Sequence, residues 1–141
     1  ALERENPRAA LTLAVTAAEV GVKQFAAAQS SSASEGWLIS SIQSPPLVRL
    51  IRRYLPYFTD KKANEKGGPA VPRHIWKPLE EAVDLRNDVV HAGENPPSEE
   101  ALAQIFVAVN DFLYLLDWFA GNEWAFRHLQ EQTKLAYGPT G

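Results

Sequence analysis

Three residues have the types and spacing needed to act on a phosphodiester: Arg86, Asn87 and His91, within Leu85-Arg86-Asn87-Asp88-Val89-Val90-His91. A guanidinium is a permanent cation whose forked donors match phosphate oxygens. An imidazole titrates near neutral pH and serves as general acid or base. The amide beside them can orient either side chain or touch a phosphate oxygen. Arg86 also follows Val83 by three residues and precedes Val90 by four, which sets it on the apolar stripe of a helix. A charge there needs a partner or a task. Glu19, Asp84 and Asp111 are the candidate partners, although Glu19 also stands four before Lys23, the spacing of a helical ion pair. In an unbroken helix, positions 86 and 91 are about 140° apart around the axis. Their side chains meet only if the helix loosens before Gly93 or a second copy of the chain contributes.

Positive charge is concentrated upstream of this segment. Residues 49–77 hold eight basic side chains (Arg49, Arg52, Arg53, Lys61, Lys62, Lys66, Arg73, Lys77) against two acidic ones, while the whole chain carries −3. Arg49, Arg52, Arg53, Lys61 and Lys62 are the candidate phosphate contacts for RNA. Tyr54 and Tyr57 flank Pro56 beside them and are candidates for base stacking. The alternative for the whole run is a solvated face. No cysteine is present, so there is no thiol nucleophile, disulfide or cysteine metal site. His74 and His128 lack ligand spacing and read as surface or helix-end residues. The expected metal and cofactor content is none.

The Arg86-Asn87-x-x-x-His91 pattern, late in a helix of an all-helical chain, resembles the signature of the HEPN family (higher eukaryotes and prokaryotes nucleotide-binding domains). Helices give the resemblance over most of the chain; only Arg86, Asn87 and His91 carry it as a motif. It implies a metal-independent endoribonuclease in which a neighbouring 2′-hydroxyl attacks the phosphorus and leaves a 2′,3′-cyclic phosphate. In that reaction His91 is general acid or base, Arg86 stabilises charge on the phosphorane, and Asn87 positions one of the two. The family also implies a homodimer through the helices carrying Arg86 and His91, and a role as effector of a bacterial defence or toxin system. Some members paired with a nucleotidyltransferase carry a tyrosine two residues after the histidine. Gly93 stands there, so that subtype is not supported. The alternative within the resemblance is a non-catalytic module that binds nucleotide or RNA, or that only dimerises.

The elements that must position these residues are all helical. With 141 residues, 45% hydrophobic and 22% charged, the chain fits one soluble domain with a single core. Leu11, Val15, Ala18, Val22 and Phe25 make one face of a helix from Pro7 to about Gln29. Trp37-Leu38-Ile39 has no clear state. Ser44 caps a second helix from Pro45 to about Leu55, burying Leu47, Leu50, Ile51 and Tyr54. Thr59 to Pro72 reads as a loop. A third helix starts near Trp76 to Pro78 and ends around Val90, with Leu79, Ala82, Val83, Val89 and Val90 inward. Ser98 caps a fourth helix to about Ala120, with Glu99 and Glu100 in its positive first turn.

That fourth helix buries Leu102, Ile105, Phe106, Val109, Phe112, Leu113 and Leu116. It is apolar beyond this face, which implies burial inside the bundle or against a second subunit. Asn110 and Asp111 interrupt it and are candidates to meet Arg86. Gly121 ends it, and Trp124 to Leu135 reads as a fifth helix. Trp76, Trp118 and Trp124 are expected in the core or at an interface. The fold class is therefore all-α, an antiparallel bundle of four or five helices. The apolar run Ile105–Ala120 is short of a membrane span. No methionine is present, which suits a domain drawn from a longer protein with other domains. A cytoplasmic, reducing setting is expected.

Overall fold

The computed structural model describes residues 6–28, 47–55, 71–92 and 97–137, with the backbone alone for Arg53, Tyr54 and 88–92. The Trp37-Leu38-Ile39 patch, the Ser44 cap, Tyr57, most of the 59–72 loop and Gly93 lie outside them. The described residues form an all-α fold: α1 (Pro7–Ala28), α2 (Leu47–Arg49, running into a wider π turn over Leu50–Tyr54), α3 (Arg73–Ala92), α4 (Glu99–Phe119), a 3-10 segment (Glu123–His128) and the short α5 (Glu131–Leu135). There is no strand among the described residues.

Helix α4 is the centre of the bundle. It packs against α1, α3 and the 3-10 segment, while α1 also meets α3, and α2 sits on both. Its start has the expected cap: Ser98 Oγ accepts the Ala101 N–H at 3.1 Å, and Glu99 and Glu100 fill the first turn. Gly121 follows with φ +107°, a conformation natural to glycine, and turns the chain away. Leu102, Ile105, Val109, Phe112, Leu115, Leu116 and Trp118 are all buried. Much of the apolar excess of α4 is taken up within one chain, because Leu115 is buried and the C-terminal segment covers Trp118 with Phe126 and Tyr137. Val107 stays 43% exposed. Helix α4 is also long and apolar enough to cross a membrane, but more than half of that stretch is buried inside the bundle.

Leu11, Val15, Ala18, Val22 and Phe25 form the inward face of α1, as their spacing requires. Gly21 lets α4 come close, since a methyl there would stand 2.5 Å from Leu113 Cδ2. In α2 the buried residues are Leu47, Ile51 and Leu55, with Leu50 partly covered. The π turn shifts the repeat, so Leu55 rather than Leu50 completes the face. Helix α3 begins at Arg73, three residues before the expected start. The Pro72 carbonyl accepts the N–H groups of Ile75 and Trp76 at 3.0 and 3.1 Å and so nucleates the turn earlier. Pro78 consequently lies inside the helix, where it lacks the N–H that would bond the carbonyl of residue 74. Ile75, Leu79 and Ala82 are fully buried and Val83 partly.

The expected fifth helix is two pieces. Leu129 and Gln130 are extended, with ψ near 153° and 154°, and separate the 3-10 segment from α5. Burial of Leu129 within the break and of Thr133 after it holds it in place.

Candidate functional site

Arg86 continues the stripe Ile75, Leu79, Ala82 and so faces α1 across the bundle, where Glu19 meets it. Guanidinium Nη1 donates to Glu19 Oε1 at 2.9 Å and Nη2 to Oε2 at 3.2 Å. The side chains are 23% and 12% exposed, so this is a partly buried, bidentate pair. The expected Glu19–Lys23 pair is corrected by this geometry. Glu19 lies on the inward face of α1 and its carboxylate is spent on α3. Its two bonds take two of the five N–H donors of Arg86, leaving Nε and the outer N–H of each terminal nitrogen for another acceptor. Asn87, the next residue, is exposed.

Helix α3 remains regular through Ala92. The helix therefore does not loosen before Gly93, and positions 86 and 91 stay about 140° apart around one axis. His91 lies on the described backbone, but its side chain is outside the described residues. One copy of the chain does not bring positions 86 and 91 onto one face.

Asp111 does not meet Arg86. Its carboxylate, buried within α4, accepts the Gln130 N–H at 3.2 Å and the Thr133 hydroxyl at 2.5 Å. Thr133 Oγ1 in turn accepts from His74 Nε2 at 2.7 Å. A buried acid in an apolar helix signals internal donors, and here the extended residues before α5 supply them. A cavity of about 440 Å³ opens beside this chain of bonds, lined by His74, Gln104, Asp111 and Gln132 among others. Every buried side-chain polar atom among the described residues has a partner. The bonds thus act as a latch tying the C-terminal segment to α3 and α4. His128 is exposed and stacks on Tyr114 at 5.0 Å. Asn110 is exposed too.

Burial holds the His74 pKa below 6.5, opposed by the Asp111 charge. The folded state therefore binds fewer protons than the unfolded chain between the depressed value and 6.5. Stability from this group is full above 6.5 and is lost as pH falls through that window. Thermal melting between about pH 7 and pH 5 should show a smaller loss in His74→Gln, which keeps a donor to Thr133 but no titrating ring. Equal losses in both proteins would contradict this role.

Among the five candidate RNA contacts, Arg49 and Arg52 are exposed. The Arg53 side chain, Lys61 and Lys62 lie outside the described residues. Arg52 stands over the Trp76 ring, its Cζ 4.7 Å from the centroid, and Arg73 approaches the same ring at 5.5 Å. Trp76 is therefore a partly covered surface aromatic under two cations, Trp118 is core, and Trp124 is 47% exposed. Lys77 Nζ donates to Glu80 at 2.9 Å. That bond, with the charges of Lys77, Arg52 and Arg73, holds the Glu80 carboxyl below the usual range. Sequence spacing did not bring Arg73 and Trp76 to Arg52, because the contact joins α2 to the first turn of α3, more than twenty residues on. Their shared membership of the basic third was the available signal. Among the described residues no three His, Asp or Glu side chains are grouped to hold a metal.

Comparison of the chain with protein-family models, with curated proteins and with solved structures finds no match.

Proposed function

We propose that this chain is a HEPN-like domain that cleaves RNA without a metal, using Arg86, Asn87 and His91 from two copies. What supports the reading is the Arg86-Asn87-x-x-x-His91 spacing, with an Arg86 guanidinium that is 23% exposed and has donors beyond its two bonds to Glu19. A donor set before the reaction is what charge development on a phosphorane rewards. The unbroken α3 supports the dimeric form of the reading, since a site uniting positions 86 and 91 then takes one from each of two chains. In that site His91 exchanges a proton with the attacking 2′-hydroxyl or the leaving oxygen.

The test is a digest of single-stranded RNA by the purified chain in EDTA, with end-group analysis. The expected products carry 2′,3′-cyclic phosphate, and a single 2′-deoxy substitution protects its own linkage. Cleavage that EDTA abolishes, or cutting at the 2′-deoxy linkage, would contradict the mechanism.

One observation favours the non-catalytic alternative. The Glu19 carboxylate neutralises Arg86 and so lowers the positive potential offered to a phosphate. In that reading Arg86 is a clamp between α1 and α3, and the parent protein binds RNA or dimerises without cutting.

A further inference from the structure

We propose that Arg52 and Arg73, arrayed over Trp76, with Lys77 beside them, form a cradle for the phosphate backbone of single-stranded RNA. The inference rests on the RNA reading above and adds to it a strand-positioning surface distinct from the site of bond cleavage.

The two guanidiniums come from different elements, Arg52 from the π turn after α2 and Arg73 from the first residue of α3. Trp76 gathers both, at 4.7 and 5.5 Å. An indole face restrains a guanidinium without neutralising it, so the charge is fixed in place and remains available. Among the described residues the only ion pair in this cluster is Lys77–Glu80. Both arginines are exposed. Arg73 also occupies the positive end of α3, whose first turn contains no acid. A cation there is unfavourable to the helix, and an anion seated against it relieves the conflict. Guanidiniums suit phosphate oxygens.

Position 73 lies thirteen residues before Arg86, roughly 20 Å along the helix axis and about 140° around it. Only a strand of several nucleotides that passes around α3 joins the cradle to Arg86, and a dinucleotide does not. The cradle therefore acts on the binding of long substrates rather than on the chemical step.

Binding of a fluorescent oligouridylate by the His91→Ala chain, across a salt titration, tests this without consuming the RNA. Replacing Arg52 and Arg73 together by glutamine is expected to weaken binding about tenfold near 50 mM salt. The slope of log affinity against log salt should become shallower by about 1.4, for two lost single-strand contacts. Glu80→Gln, which removes the opposing carboxylate, is expected to tighten binding several-fold, an outcome a merely structural role does not produce. In the cleaving protein replacement of the two arginines should raise KM for long RNA.

An unchanged salt slope in the double variant, with the parent still binding RNA, overturns the cradle and leaves the nuclease reading intact. Equal binding of polyglutamate of matched length overturns it too, in favour of an acidic peptide. Failure of the parent to bind RNA at any salt removes both. RNA binding that needs the two arginines, in a chain that never cleaves, sustains the cradle and ends the nuclease reading.

Discussion

Arg86→Met is expected to lower stability by about 2–3 kcal/mol, below the usual cost of breaking a fully buried pair because both side chains keep some solvent. The loss comes from stranding the Glu19 carboxylate, 12% exposed, against the apolar stripe of α3. For a chain of this size it corresponds to a drop in Tm of roughly 10 °C. RNA cleavage should fall by about 10²–10³-fold, the usual effect of removing one fixed donor from developing charge. Replacing Glu19 and Arg86 together by methionine separates the two consequences. Apolar side chains of similar volume remove the stranded charge, so melting returns close to the parent value. Cleavage does not return. Recovery of both would make the guanidinium a clamp and nothing more. A single Arg86→Met variant that melts like the parent would show that the pair contributes little to the fold.

His91→Ala is the larger effect on chemistry, an expected loss of about 10²–10⁴-fold in cleavage rate, the contribution of a positioned general acid or base. Single-turnover rates at saturating RNA isolate this step from binding. The parent pH profile of the rate should show an inflection that the His91→Ala profile lacks. RNA affinity should be nearly unchanged, because the cradle and not the imidazole carries it. Far-UV circular dichroism of the two proteins should coincide. A His91→Ala chain that cleaves at the parent rate would remove the imidazole from the reaction.

Much of this was legible in the order of the residues, and the reasons are local. Repeats of three and four marked the inward face of α1, and Ser98 followed by two acids marked the start of α4, because helices and caps depend on neighbours in sequence. The same counting placed Arg86 on the inward stripe. Which carboxylate met it was not legible, since Glu19, Asp84 and Asp111 were equivalent until α1 packed on α3. Asp111 went instead to Gln130 and Thr133, donors exposed only by the extended break that replaced the expected fifth helix. The start of α3 moved because the Pro72 carbonyl took two N–H groups, a backbone event with no side-chain mark. The gathering of Arg52 and Arg73 on Trp76 joined residues about twenty apart, beyond the reach of any helical period.

If Arg86 of one copy and His91 of another act on one phosphodiester, two inactive proteins should restore cleavage when mixed. One carries methionine at both 19 and 86, so that it folds but lacks the guanidinium; the other is His91→Ala. After exchange of subunits, half of the dimers contain one chain of each kind, and each of those has one complete site out of two. Cleavage should then rise from near zero in either protein alone to about a quarter of the parent rate. Mixtures as silent as their components, under conditions where mixed dimers are shown to form, would contradict the account.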